Sequence, residues 1–499
     1  MRRFECLLVV LSFFALLLFV TIGIYRPIWL DEANSILVAS QSFSGIVDKL
    51  RHENNLPVYY FFLALWMRVF GDSEAATHAL SGLFYICGTV TTFLLGLSLF
   101  RDRRTAYYCA FFYLASTQAI RQAQTVRMYS FLGFLAAFSL LAFFKLFQRG
   151  SRRRWAWMLY CVVNAMGLLT HVWFFFLLAA QMVALVLWLP RVTRKQFFLT
   201  MLVSSLPFLG LWSPFFIEQL SNGATSWMPR FDLRFVTNTL FEFYGGSRVG
   251  PLFYGAYTIL VLLGDRQHLK RFLTGETARI LLTLCVVALA TPLLVSVLKP
   301  IYWPGRYTII GLAPLAVFLG ATVAQSAPRP PLMLLCTAVL LTLTAVQIMT
   351  REYNWEFETP AEQSDRATTQ YLVQHAAPGD VLLFTSLSRA AVDYYLHRFH
   401  MEGRFIELSF PDEISTHLSW RDNAAVLQRR DSLELEANGV VAMLENLLRE
   451  DGRRIWLLYG ADREVSDILK DKLDQHFVLQ SQPPRGGSFY RWLLVYSSP

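Results

Sequence analysis

Two neighbouring carboxylates, Asp31 and Glu32, sit in the segment Trp29-Leu30-Asp31-Glu32-Ala33, a few residues past a long apolar run that begins at Cys6. Keeping two such groups at the edge of a bilayer costs desolvation energy, so their presence needs a reason. Acid–base chemistry supplies one. Adjacent side chains point in different directions on a helix, so one carboxylate can take a proton while the other braces a metal ion or the base. A carboxylate partly withdrawn from water holds protons more tightly, which suits a base working near neutral pH. The plainer reading is that Asp31 caps a helix starting near Ala33. Capping needs one carboxylate and leaves the second unexplained.

The next group is cationic. Arg121, Arg127, Arg230, Arg234, Arg248, Lys299 and Arg306 fall on the same side of the membrane as Asp31 in the threading below, against the usual charge bias. Each therefore needs a partner, and a lipid phosphate fits, held by an arginine fork or a lysine point charge. Snorkelling toward headgroups explains several of them equally well. Arg127 and Arg306 stand out because each opens a span beside a tyrosine, Tyr129 and Tyr307. His171 is a lone histidine at a span end, a position more often filled by a satisfied polar group than by a ligand. His52 and Glu53 lie between two expected interfacial helices, where they could support the site or be solvated. Trp227 and Met228 could pack on a sugar or on lipid.

The elements that must position these residues are membrane helices. Of 499 residues, 55% are hydrophobic and 16% charged, too apolar for a soluble chain of this size. The net charge of +9 does not indicate nucleic acid. The basic residues cluster between apolar runs, at Arg101–Arg104, Arg152–Arg154, Arg191–Lys195 and Arg266–Arg271, as the positive-inside rule expects. All six cysteines lie in apolar runs, with neither a disulfide framework nor zinc spacing. The first run, about 6–24, lacks a small-x-small cleavage site and reads as an uncleaved signal anchor. Further spans are expected at about 75–100, 105–120, 127–147, 156–172, 173–189, 197–213, 250–264, 278–298, 304–324 and 331–349, eleven in all.

Leu56 to Phe70 is apolar but short. Counting it as a span would invert every later basic cluster, so it reads as an interfacial helix, with Tyr59, Tyr60 and Trp66 in the headgroup zone. Ala33 to Leu50 forms a second one. This puts the N-terminus in the cytoplasm and Asp31 and everything after Thr350 outside. From there strand-like runs at 381–385, 404–410, 455–459, 477–480 and 490–496 alternate with helical stretches at 434–450 and 462–473. The expected fold is mainly α: a polytopic helical membrane protein with a domain over 1–350, interfacial helices, and a small extracytoplasmic α/β domain over 351–499.

The order of these features resembles the polytopic GT-C glycosyltransferases related to protein mannosyltransferases and lipid A aminoarabinose transferases, in the bacterial branch that decorates envelope glycans. The likeness runs through about 1–350. It is carried by Asp31-Glu32, by Leu56-Pro57-Val58-Tyr59-Tyr60, by Gln124-Thr125-Val126-Arg127-Met128-Tyr129, by Thr170-His171 and by Arg306-Tyr307. Pro378-Gly379-Asp380 is also common in this branch. The resemblance implies an inner-membrane enzyme that moves a sugar from a polyprenyl-phosphate donor to a glycan, glycolipid or protein acceptor outside. In it Asp31 acts as base for an inverting displacement, with Glu32 beside it. Arg127, Tyr129, Arg306, Tyr307, Lys299, Tyr59, Tyr60, His171 and Glu53 bind substrate. A divalent metal is possible, yet the family's second acidic position is Thr125 here, its His-Pro-Pro is Asn55-Leu56-Pro57, and the arginine opening the second span is His78. Two other readings stay open: a transporter of a lipid-linked sugar, disfavoured because the spans are nearly free of charge, and a scaffold whose outer domain binds a partner.

Overall fold

The computed structural model describes residues 23–499 except 52, 54, 149–152, 190, 222–227, 327–329, 350–363, 417–425, 449–451 and 488–489, together with the lone residue 17. The expected first span therefore lies outside the described residues, as do His52, Trp227 and the domain boundary at 350/351.

Three short helices open the described chain: α1 (Leu30–Ala39), α2 (Phe43–Arg51) and α3 (Pro57–Phe70). Proline at its first position and Gly71 in the left-handed region just past its end fix the limits of α3. Its 14 residues span about 21 Å, less than a hydrocarbon core, in keeping with the interfacial reading. Then comes α4 (Glu74–Phe100), capped by Ser73, whose hydroxyl accepts from the Ala76 amide at 3.3 Å. At 27 residues it is about 40 Å long. The expected span at 105–120 is instead broken. Helix α5 (Arg103–Leu114) stops and the buried seven-residue α6 (Thr117–Ala123) begins anew at Ser116, whose hydroxyl accepts from the Ala119 amide at 3.3 Å. Serine so placed competes for the backbone and ends one helix while starting the next.

The remaining helices before residue 350 are α7 (Tyr129–Phe143, continued by a wider turn over Phe144–Gln148), α8 (Arg154–Leu168), α9 (Phe174–Trp188), α10 (Arg191–Leu211), α11 (Ser213–Ser221), α12 (Arg234–Phe243), α13 (Gly246–Leu262), α14 (Arg266–Thr274), α15 (Glu276–Leu298), α16 (Leu312–Ser326) and α17 (Pro330–Met349). Among the described residues, four helical stretches are long and apolar enough to cross a bilayer: Glu74–Phe100, Tyr129–Gln148, Glu276–Leu298 and Tyr307–Ser326. A fifth arises if α10 and α11, which meet at a 67° bend, form one span. Of the other expected spans, α8, α9 and α13 are shorter than this and the third is broken, while the first lies outside the described residues and α17 is described in part.

Close helix contacts use small residues. A Cβ on Gly320 of α16 would collide with the backbone of Cys109 in α5, and one on Gly96 of α4 would lie 3.0 Å from Ala106 Cα. The two ends of the bundle differ. Phe100, before Arg101–Arg104, meets Phe272 of α14 with ring centroids 5.9 Å apart, so two basic clusters share one end. Arg279, at the start of α15, lies over Trp188 at the end of α9. At the opposite end, His78 of α4 reaches Glu32, Arg127 before α7 reaches the Asp31 carbonyl, and Arg306 before α16 reaches the Asp31 carboxylate.

Beyond residue 364 come α18 (Asp365–His375), β1 (Val381–Thr385), α19 (Arg389–Arg398), β2 (Ile406–Phe410), α20 (Arg430–Leu448), β3 (Ile455–Gly460), α21 (Arg463–His476), β4 (Val478–Ser481) and β5 (Tyr490–Ser497). They build a five-stranded sheet of order β2-β1-β3-β5-β4, parallel for the first three and antiparallel at β5 and β4. Every strand lies within two residues of its expected position. β1 reads Val-Leu-Leu-Phe-Thr because both its faces are buried. Pro378-Gly379-Asp380 does more than turn the chain: the buried Asp380 carboxylate accepts from the Ala377 and Arg454 amides at 2.9 and 3.0 Å and from Trp456 Nε1 at 2.8 Å, tying the entry of β1 to β3.

Candidate active site

Asp31 and Glu32 both lie in the first turn of α1, where carboxylates suit the helix dipole, but their surroundings differ sharply. Glu32 is fully buried. One carboxylate oxygen meets Arg26 Nη2 at 3.2 Å, His78 Nε2 at 3.1 Å and the Val126 amide at 3.0 Å, and the other accepts from the Trp29 amide at 3.3 Å. Burial alone would push its carboxyl up; the charges of His78 and Arg26 and these hydrogen bonds outweigh it and hold it below the usual range. His78 Nδ1 faces the carbonyls of Glu74 at 2.8 Å and Ile24 at 3.1 Å. Glu32 therefore locks four pieces of chain together and has no oxygen facing solvent.

Asp31 keeps 30% of its side chain exposed and meets Arg306 Nη1 at 3.4 Å. Arg306 is held between Trp29 and Trp303, with its guanidinium carbon 5.6 and 6.0 Å from the ring centres. Arg127 is buried. Its Nη1 donates to the Asp31 carbonyl at 3.3 Å and the Ser35 hydroxyl at 3.2 Å, and its Nη2 to Asn55 Oδ1 at 3.4 Å. The two arginines anticipated beside tyrosines thus do converge on Asp31, one on its carboxylate and one on its backbone.

The tyrosines form a wall beside them. Ring centroids of Tyr129, His171 and Tyr307 lie 5.0–6.0 Å from one another, and Trp173 lies 5.3 Å from Tyr307. His171 Nδ1 accepts from the Trp173 amide at 3.1 Å, so any proton on a neutral ring sits on Nε2. Tyr59 and Tyr60 are fully buried on α3 and meet edge to face. Glu53 is also buried, its carboxylate accepting from Asn34 Nδ2 at 3.3 Å and its carbonyl from Gln219. Burial pushes the Glu53 carboxyl up, against the pull of Lys49, Asn34 and Arg127. Lys299 is half-buried at the end of α15. Met228 is buried in the main core, Arg230 and Arg248 are exposed, and Arg234 pairs at the surface with Asp232 at 2.7 Å.

What holds Arg306 in place was not foreseen. Arg121 Nη2 donates to the Gly305 carbonyl at 2.8 Å and to Glu242 at 3.2 Å, and Gln122 Nε2 reaches the same carbonyl at 3.0 Å. Helix α6 thereby clamps the loop before Arg306, so Arg121 serves as a brace, its charge spent on the protein itself. Thr125, standing at the family's acidic position, donates to the Arg121 carbonyl at 2.8 Å, and its own carbonyl accepts from Ser81 at 2.6 Å. Among the described residues no three His, Cys, Asp or Glu side chains are placed to hold a metal ion.

No protein-family model matches the chain, and no curated protein is similar to it in sequence. Solved structures are similar in fold. ArnT from Cupriavidus metallidurans in the apo state matches with a TM-score of 0.62 at 11% identity, over 98% of this chain and 97% of that one. The same protein bound to undecaprenyl phosphate matches with a TM-score of 0.62 at 12% identity and the same coverage. The archaeal oligosaccharyltransferase AglB from Archaeoglobus fulgidus, in complex with an inhibitory peptide and a dolichol-phosphate, matches with a TM-score of 0.53 at 11% identity, over 100% of this chain and 74% of that one. From the helices around Asp31 to the terminal sheet, this chain has a fold similar to that of ArnT and AglB.

Proposed function

We propose that the protein is an integral membrane glycosyltransferase that moves a sugar from a polyprenyl-phosphate donor to a glycan, glycolipid or protein acceptor, with Asp31 as base. The observation that carries this reading is the division of labour between the adjacent carboxylates. Glu32 is saturated by donors, while Asp31 remains partly exposed and faces Arg306. A donor phosphate arriving at Arg306 would compete for its guanidinium and release Asp31 to accept the acceptor's proton. The acceptor oxygen then attacks the sugar carbon, the bond to phosphate breaks with inversion, and the charge left on phosphate meets Arg306. Tyr129, His171 and Tyr307, whose rings are tilted 37–58° to one another, would pack against the sugar, with Tyr59, Tyr60, Glu53 and Lys299 completing the substrate-binding set. A lipid phosphate as donor group is also what the fold neighbours support, since one is bound to undecaprenyl phosphate and another to dolichol-phosphate.

The same reading puts Asp31 and the α/β domain on the extracytoplasmic face of the inner membrane. The basic clusters at 101–104 and 266–271 share one end of the bundle, away from the end of α4 that reaches Glu32, and positive charge marks the cytoplasmic side. The chain would divide into a transferase portion to about residue 350 and the α/β portion after it. Mass spectrometry of envelope glycans from cells with the native protein, without it, and with Asp31→Asn tests the proposal. One sugar mass should vanish in both of the latter, with Asp31→Asn protein present at native levels. An unchanged glycan profile in the null cells would overturn the transferase reading, and full transfer by Asp31→Asn the assignment of the base.

A further inference from the structure

We infer that Tyr395, in the α/β portion and more than 360 residues from Asp31 in sequence, is a positioning residue for the α1 helix that carries the site. The deduction rests on the proposed role of Asp31. Helix α19 lies between the sheet and the membrane portion. Its Val392 and Leu396 face the sheet core, whereas Ala390, Ala391, Tyr394 and Tyr395 belong to the same buried cluster as Ile28, Leu30 and Ala33. The Tyr395 hydroxyl accepts from the Ile28 amide at 2.7 Å and donates to Glu74 Oε1 at 2.6 Å. Ile28 sits two residues before α1, and its amide falls outside any helix ladder, so this phenol is what satisfies it. Glu74, at the first position of α4, is held on its other oxygen by Arg366 at 2.8 Å.

From Glu74 the contacts close around the site. Its carbonyl meets His78, His78 meets Glu32, and Glu32 holds the Val126 amide next to Arg127, which grips the Asp31 carbonyl. One hydroxyl thus fixes both the approach to α1 and the base of the network beneath it. Around it, Tyr394 donates to the Asp72 carbonyl at 3.0 Å and Arg398 pairs with Asp72 at 2.8 Å, seating the helix on the turn before α4. The α/β portion is therefore part of the support of the reacting carboxylate, so that a ligand or partner moving α19 would be felt at Asp31.

Tyr395→Phe keeps the ring and removes only the hydroxyl. Hydrogen–deuterium exchange of the full-length protein in lipid nanodiscs should show the peptide covering Arg26–Ala39 exchanging about tenfold faster, the factor for one lost hydrogen bond of about 1.4 kcal/mol, with mid-α4 and α7 peptides unchanged. In cells, sugar transfer should fall about 10- to 100-fold, as for a displaced reacting group. Glu74→Gln, which keeps one acceptor for the phenol, should move both readouts less, and it serves as the probe if Tyr395→Phe does not accumulate. Native exchange over Arg26–Ala39 in folded Tyr395→Phe protein would overturn the inference. Asp31→Asn separates the two ideas: if it transfers normally while Tyr395→Phe still loosens Arg26–Ala39, the base assignment fails and the coupling stands.

Discussion

At the scale of single residues, neighbours in sequence have been given opposite work. Because Glu32 is fully buried against Arg26 and His78, Glu32→Gln strips a buried charged pair and should cost about 3 kcal/mol or more, read as a lower thermal midpoint and lower yield in detergent. Asp31→Asn, at a partly exposed position, should leave stability within about 0.5 kcal/mol of native while removing transfer. Reversal of that pattern would exchange the roles assigned to the two carboxylates. Gly305 is equally specific. Its φ of +85° lies in the left-handed region, and a Cβ there would strike Arg121 Nη2 and come within 2.8 Å of Glu242. Gly305→Ala should destabilise the loop by about 1–3 kcal/mol and reduce transfer by displacing Arg306. Normal transfer would show that the α6 clamp is dispensable.

Elements matter here through where they break. Apolar content at 105–120 reads as one continuous span, yet Ser116 splits it and lets α6 turn inward, which brings Arg121 and Gln122 onto Gly305. Composition does not announce that break, since serine is tolerated inside membrane helices; the cap that Ser116 gives the Ala119 amide is accompanied by a contact of the same hydroxyl with the distant Phe243 carbonyl at 2.8 Å. In the α/β portion, the second turn of α19 carries a titrating group. Burial pushes the Asp393 carboxyl up to about 7, against the pull of Arg389, with Glu407 adding to the rise. The folded form then holds a proton that the unfolded chain releases near pH 4, so stability from this group is present at low pH and is lost as pH rises to about 7. The thermal midpoint should fall between pH 5 and pH 8, and Asp393→Asn should flatten that slope. An equal slope in the variant would remove Asp393 as its source.

For the whole molecule, the decisive property is polarity from end to end. If the proposed orientation holds, a cysteine at Ser40, exposed just past α1, should react with a membrane-impermeant maleimide in intact spheroplasts. One at Arg103, exposed beside a basic cluster, should react only after lysis. The opposite pattern would place the site in the cytoplasm and remove the lipid-linked donor. Much of this organisation was legible in the chain alone. Apolar runs and basic clusters are properties of composition, and each strand of the terminal sheet is named by its own β-branched and aromatic residues, because the energy of moving a segment from water into lipid or into a sheet core is set largely within that segment. Asp31, Arg127 and Arg306 could likewise be singled out, since charges in such surroundings need partners wherever they are. Which partners they take was settled only by the tertiary structure. Hydrogen bonds and ion pairs act over about 3 Å, and only folding brings His78 to Glu32, Arg121 to Gly305 and Tyr395 to the threshold of α1.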